Sequence, residues 1–406
     1  MNSVGIDISK GRSTIAVMRP FGEVVISPFE VRHTDSELSE LSELARQLKI
    51  LDGETRVVME ATGNYHAPVA KLLHDAGLYV SVVNAKLVHG YGNNDLRRVK
   101  TDRKDAVKLA NYGLDRWLTL PRYVPEEDTR LLLKNCCRQY RQYSKVQTVL
   151  KNNLISLLDT VFPNANRLFS SPIRGDGSEK WVDFVAEFWH CRCVSEKSKK
   201  VFTNKYQRWC RKHGYNFSEA KAHTIHAEAN GHIGVMSKSE TTKLLMEQAV
   251  SQLRATSAAL AALKQEMQTL ASMLPEYPVV MDMFGVGSTL GPQLIAEIGD
   301  VRRFYSKKAL VAYAGIDAPP NDSGDVTGRR KSMSKVGASS LRRTLFLVMS
   351  VYLQNAPLDE PVYRFMDKKR AEGKPYRVYM KASANKFLRI YYATVKAYLE
   401  SLELTA

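Results

Sequence analysis

Two helical runs, each longer than a compact domain can enclose, constrain this chain most. From about Glu126 to Val161 the apolar residues recur with helical spacing, closing with Leu150, Leu154, Leu157 and Val161. At ~1.5 Å per residue such a helix reaches roughly 50 Å. A second run, from about Ser239 to Met273, leads up to Leu274 with Leu253, Leu260, Met267 and Leu274 one heptad apart. That spacing predicts coiled-coil arms. The arms either pair with each other as an antiparallel hairpin or form a seam with a second copy of the chain, and the pattern leaves both open. Domains must lie on either side of them, which a chain of 406 residues can supply.

The segment before the arms, 1–125, reads as α/β. VGIDI (4–8), STIAVMRP (13–20) and EVVISPF (23–29) fit three antiparallel strands, the last pair broken by Phe21-Gly22. Residues 35–49 carry Leu38, Leu41, Leu44 and Leu48 at helical spacing. RVVME (56–60) and YVSVVN (79–84) read as strands, 61–77 as a helix, and 101–114 as a helix capped by Thr101. Strands first, then alternation, predict a mixed sheet with helices on both faces. Residues 126–162 and 239–274 are the arms, and 163–238 between them form a basic insertion rich in Trp, Cys and His. A mostly α-helical C-terminal domain, with a basic helical tail, is expected over 275–406.

Lys and Arg number 59 against 42 Asp and Glu, a net +17. An excess of this size points to a polyanionic partner. It is concentrated downstream of the first domain: between Pro361 and Lys396 ten basic residues face only Asp367 and Glu372. No apolar run is long enough for a membrane span, and no leader pattern precedes the first strand, so a cytoplasmic protein is expected. Five cysteines make no disulfide framework in such a chain.

Acidic residues inside or ending apolar strands need a reason, because a buried, unpaired carboxylate is costly. Asp7 lies in VGIDIS, and Glu60 ends RVVME. Asp102 and Asp105, three apart, project from one helix face. Convergence of the four would suit hard cations, and two Mg²⁺ ions are the expected complement. Helix capping or surface charge explains each residue singly as well.

GIDISK, VVMEATGNYHAPVA, LYVSVVNAKLV and LRRVKTDRKDAVKLA resemble the N-terminal DEDD domain of a family of bacterial insertion-sequence transposases. That domain has a RuvC-like (RNase H-like) fold, and the family includes Piv-type invertases and RNA-guided bridge recombinases. FGVGSTLGPQLIAEIGDVRRFYSKKALVAYAGIDAPPNDSG and SMSKVGASSLRRTLF resemble its C-terminal transposase domain. The resemblance implies that Asp7, Glu60, Asp102 and Asp105 bind Mg²⁺. It also implies that Ser323, in the Ser-Gly of a polar loop, is a nucleophile forming a phosphoserine link to DNA, with the serine supplied by a different protomer of a dimer or tetramer. The residue-level alternative for Ser323 is a turn serine beside Gly324. Arg329, Arg330, Lys331, Lys335, Arg342 and Arg343 would hold phosphates. FGVG before an apolar helix looks like a helix-hairpin-helix, whose turn offers N–H groups to a phosphate. Double-stranded donor and target DNA are the implied partners, with a structured guide RNA.

The insertion departs from compact members of that family. Cys191, Cys193, Cys210 and His213, with His190 beside them, have a spacing that can hold Zn²⁺, and a packed helical pair with buried thiols explains the same residues. Its basic residues with Trp181, Trp189, Tyr206 and Trp209 suit either nucleic-acid stacking or a solvated face over an aromatic core. Three functions stay open on the residues alone: a recombinase using Ser323, a RuvC-like nuclease using water, and a non-catalytic nucleic-acid-binding protein.

Overall fold

The computed structural model describes residues 1–91, 101–232, 234–318, 322–323, 326–327 and 333–405, with the backbone alone at 52, 322–323, 326–327 and 405. The chain divides into two compact units, Met1–Glu126 and Glu127–Ala406.

The first unit is a five-stranded mixed sheet. Its elements are β1 (Asn2–Ser9), β2 (Arg12–Arg19), β3 (Glu23–Arg32), α1 (Asp35–Asp52), β4 (Thr55–Glu60), α2 (His66–Asp75), β5 (Tyr79–Val83), α3 (Ala85–Gly90) and α4 (Asp102–Asp115). The strand order is β3-β2-β1-β4-β5. The first three strands are antiparallel, while β4 runs parallel to both β1 and β5. Pro28 is tolerated because β3 is an edge strand, where a missing N–H costs no ladder bond. Helix α2 starts at His66, later than the apolar pattern suggests, because Thr62–Tyr65 forms a turn closed by Tyr65 N donating to Thr62 O at 3.1 Å.

Strand alternation splits the sheet into two faces. Val4, Ile6, Ile8, Val57 and Met59 pack with α1 and α2, through Leu38, Leu41, Val69 and Leu73. Val58 instead packs with Val83, Leu109 and Tyr112, on the face covered by α4. Helix α4 lies close to that face because the strand beneath it is nearly bare. A methyl group on Gly5 would run into the backbone of Ala106 and Ala110, and one on Gly113 would meet Ser3 and Val58.

The second unit is mostly helical. It holds α5 (Asp128–Val161), α6 (Lys180–Glu187), α7 (Arg192–Ser195), α8 (Lys199–Lys212), α9 (Glu219–Gly231), α10 (Glu240–Ser272), α11 (Tyr277–Met281), α12 (Leu290–Ile298), α13 (Lys307–Tyr313), the two-residue strands β6 (Asp322–Ser323) and β7 (Val326–Thr327), α14 (Ser339–Asn355), α15 (Pro361–Ala371) and α16 (Tyr376–Thr405). The two long helices pair within the chain, and they run antiparallel. Leu133 and Cys137 of α5 share a core with Met267, Leu270 and Ala271 of α10. At the other end Leu154, Leu158 and Val161 share a core with Met246, Val250 and Leu253. Midway, Gln147 Nε2 donates to Ser257 Oγ at 2.9 Å. One end of the pair carries the insertion, and the other carries the C-terminal helices. Buried Arg130 and Glu276 form an ion pair, Nη2 to Oε2 at 3.0 Å, that ties the start of α5 to the start of α11. Among the described residues no helix is long and apolar enough to cross a membrane.

Candidate active site

The acidic residues gather at one end of one sheet face. On β1, Ser3, Gly5 and Asp7 alternate with Val4, Ile6 and Ile8, so Asp7 faces α4. Gly113 lies over Ser3, and Ala110 and Ala106 lie over Gly5. Same-face strand residues are ~6.6 Å apart, about four helical residues at 1.5 Å each. The next step along β1 therefore brings Asp7 level with the first turn of α4, which carries Asp102 and Asp105. Glu60 shares the face of Val58 on the neighbouring strand, one step beyond the Ile6–Met59 pairing. Asp7, Glu60 and Asp105 are half-buried and Asp102 is exposed.

Local structure fixes these positions. Thr101 caps α4, accepting from Lys104 N at 3.3 Å, and leaves two acids in the first turn, where the helix dipole favours them. Thr62 Oγ1 donates to Glu60 Oε1 at 3.3 Å. Beside them a cleft of about 340 Å³ is lined by Thr14, Phe29, Glu30, Thr101, Asp102 and Arg103. Thr14, the cross-strand partner of Asp7, and Glu30 opposite it on β3 were not foreseen from sequence. The hairpin register, legible once Gly11 is taken as its turn, was the signal that could have found Thr14. The carboxylates surround one sheet end without closing on a point: among the described residues no three His, Cys, Asp or Glu side chains are close enough to hold a metal ion.

Ser323 belongs to the second unit. Its backbone pairs with Val326 in a two-residue hairpin, Asp322 pairing with Thr327. The stem of this loop is firmly stapled. Ser334 N donates to Asp317 O at 3.1 Å and Ser334 Oγ to the Asp317 carboxylate. Ala338 N donates to Tyr313 O at 2.7 Å. Gly337 is needed there, since a side chain would meet the carbonyl of Tyr313. Arg342 is part of this staple, its guanidinium donating to Ala314 O at 3.0 Å, and it is half-buried. Lys335 and Arg343 are exposed, whereas Arg329, Arg330 and Lys331 lie outside the described residues. The turn before α12 has Gly285 at φ 76, and α12 itself is buried from Gly291 to Ile298.

The Cys/His set of the insertion is not brought together as a metal site. Cys191 lies against His190 Nδ1 at 3.6 Å and His232 O at 3.8 Å. Cys210 faces the hydroxyl of Tyr206, and His213 stacks on Trp209 and Tyr215. Burial pushes the Cys193 and Cys210 thiols up. For Tyr206 and Trp209, the aromatic core is the arrangement found of the two left open. Both are buried, with Phe184, Phe188 and Phe202, in an aromatic core. Trp189 is buried and Trp181 half-buried.

Comparison with known proteins places the chain. Residues 4–163 match a DEDD-type transposase family model, and residues 277–363 match the transposase IS116/IS110/IS902 family. The two matches together take in more than half of the chain. It belongs to the IS110-type transposase family. Similar proteins include the pilin gene-inverting protein of Moraxella bovis, 23% identical over 84% of this chain and 80% of that protein. The insertion element IS116 44.8 kDa protein of Streptomyces clavuligerus is 25% identical over 80% of this chain and 78% of its own length. In this member of the transposase family, the first match contains Asp7, Glu60, Asp102 and Asp105, and the second contains Ser323. Residues 164–276, with the insertion, lie between the two.

Proposed function

We propose that the chain is the DNA transposase, or site-specific recombinase, of an insertion sequence. Asp7, Glu60, Asp102 and Asp105 form the acidic half of its site and Ser323 is its nucleophile. The observation that carries this reading is the presence in one chain of an acidic sheet end and a serine-bearing second domain, each within a transposase family match. The strand order β3-β2-β1-β4-β5, antiparallel over its first three strands, supports a RuvC-like fold for the first unit. The antiparallel α5–α10 pair supports a coiled-coil arm.

Carboxylate oxygens are the donors that hard divalent cations prefer, so this donor set fits two Mg²⁺ ions. Bound there, they would polarise the scissile phosphate and stabilise charge on the attacking and leaving oxygens. The chain supplies the nucleophile. The Oγ of Ser323 forms a bond to phosphorus, the bond from phosphorus to one deoxyribose oxygen breaks, and that oxygen takes up a proton as the serine gives one up. In rejoining, the hydroxyl of the incoming strand displaces Ser323, which recovers a proton. A serine hydroxyl needs activation. Residues 313–337 contain no histidine, so activation falls to the carboxylates, offered by another protomer of a homo-oligomer. The stapled stem limits the positions that the loop can sample. Donor and target duplex DNA are the substrates, and a structured guide RNA selects them.

Ser323→Ala tests the reading. Strand exchange and the covalent protein–DNA product should both vanish, with DNA binding and assembly unchanged. Undiminished Mg²⁺-dependent cutting by this variant would replace the recombinase with a nuclease that uses water. A wild-type protein without either reaction would be a binding protein. For the RNA, recombination that survives its complete removal would defeat guidance.

A further inference from the structure

Helix α8 has two opposed faces. Phe202, Tyr206, Trp209 and Cys210 point into the aromatic core, with Thr203 beside them. The rest of the helix is Lys199, Lys200, Val201, Asn204, Lys205, Gln207, Arg208, Arg211 and Lys212, without a single acid. Val201, Asn204, Lys205, Arg208 and Lys212 line a cleft of about 540 Å³, together with Glu187 and the edge of Trp209. Lys205 is 3.5 Å from Glu187 and lies over the Phe188 ring. Among the described residues Arg208, Arg211 and Lys212 have no carboxylate partner. The helix dipole would favour cations in the last turn, and so accounts for Arg211 and Lys212. It does not account for Arg208 or Lys205, further back along the cleft.

We propose that this cleft grips the sugar–phosphate backbone of duplex DNA without reading its sequence. Lys205, Arg208 and Lys212 stand three and four residues apart, hence on one stripe. From first to last they span ~10 Å. A DNA strand carries one phosphate per ~3.4 Å of axis, so about three phosphates face that length. The occupant is a duplex because single-strand grooves stack bases on exposed rings. Here the rings of Phe202, Tyr206 and Trp209 are buried. It is DNA on the strength of the recombinase reading, on which the inference rests. Such a grip would let the insertion hold DNA flanking the reacting site.

The test measures binding of the full-length protein to a fluorescent 40-base-pair duplex of arbitrary sequence between 50 and 200 mM KCl. Lys205→Ala with Arg208→Ala and Lys212→Ala should flatten the log–log salt dependence by about 2–3 and weaken binding at least tenfold at low salt. Arg208→Lys with Lys212→Arg, which keeps every positive charge, should keep the wild-type slope. An unchanged slope in the triple alanine variant overturns the proposal. So does an equal change from Lys49→Ala with Lys71→Ala and Lys86→Ala, which removes three exposed charges from the first unit. An effect on duplex RNA or single strands, with duplex DNA unaffected, also overturns it. Wild-type protein that binds no duplex DNA would instead break the recombinase reading itself.

Discussion

The sheet end of the first unit and the core of the insertion pose the same question with opposite answers. Each gathers residues that sequence marks as chemical: four carboxylates in one, cysteines, histidines and tryptophans in the other. Burial decides between them. The carboxylates stay half-buried or exposed at the end of the α4 face, beside an open cleft. Cys191, Cys210 and the rings of Tyr206 and Trp209 are instead buried within one cluster, where Tyr206 and Trp209 stack at 5.5 Å between centroids. A reactive residue type has a function only where its reactive atoms are accessible. The insertion packs Cys191, Cys210, Tyr206 and Trp209 into its core and leaves its cations at the surface.

Removing charge from the sheet end is the strongest way to break this contrast. Asp7→Asn or Glu60→Gln should lower strand cleavage by at least ~10³-fold, about 4 kcal/mol of barrier, with melting temperature and DNA binding little changed. Cleavage assays in Mg²⁺ give the result. Full activity in either variant would reduce these acids to the surface charges that each resembles singly.

A second prediction concerns how the sheet end is built. Gly5→Ala should destabilise the first unit by about 1–3 kcal/mol, because the added methyl meets the backbone of α4 and no side chain can yield. Cleavage should fall with it, since α4 carries Asp102 and Asp105. Gly90→Ala, where the methyl meets nothing, is the control. A normal melting curve for Gly5→Ala would mean that α4 does not depend on the bare strand for its place.

This close approach shows what sequence made legible. Period-two runs and Gly/Asp turns located the strands, and the Thr101 cap and helical spacing located α4, while convergence of the four acids stood beside capping and surface charge as one reading of each. The reason α4 reaches them was not legible, because Ser3 and Gly5 look like weak strand residues until the helix is seen above them. The insertion was read less well for a related reason. Short Cys/His spacings are equally compatible with coordination and with packing, and only three-dimensional position separates Cys191, beside His232 O, from Cys210, beside Tyr206. Antiparallel pairing of α5 and α10 was one of two arrangements that heptads permit, and heptads carry no sign of the partner's identity.

The smallest effect tests the insertion's thiols. Burial raises Cys193 and Cys210 above the ordinary value of about 9, the Tyr206 hydroxyl drawing Cys210 part of the way back. A thiol raised in the fold stabilises the fold fully below its unfolded value, and that contribution is lost as pH rises through the higher folded value. The melting temperature should therefore be level from pH 7 to about 8.5 and decline above about 9, the decline being slightly shallower in Cys210→Ala. Native-state alkylation with iodoacetamide at pH 7.5 should be slow at both thiols, since the thiolate is the reacting form. A zinc site would behave differently: its thiolates would be shielded by the metal, and a chelator would both expose them and lower the melting temperature. Chelator-sensitive melting would return the insertion to the chemical side of the comparison.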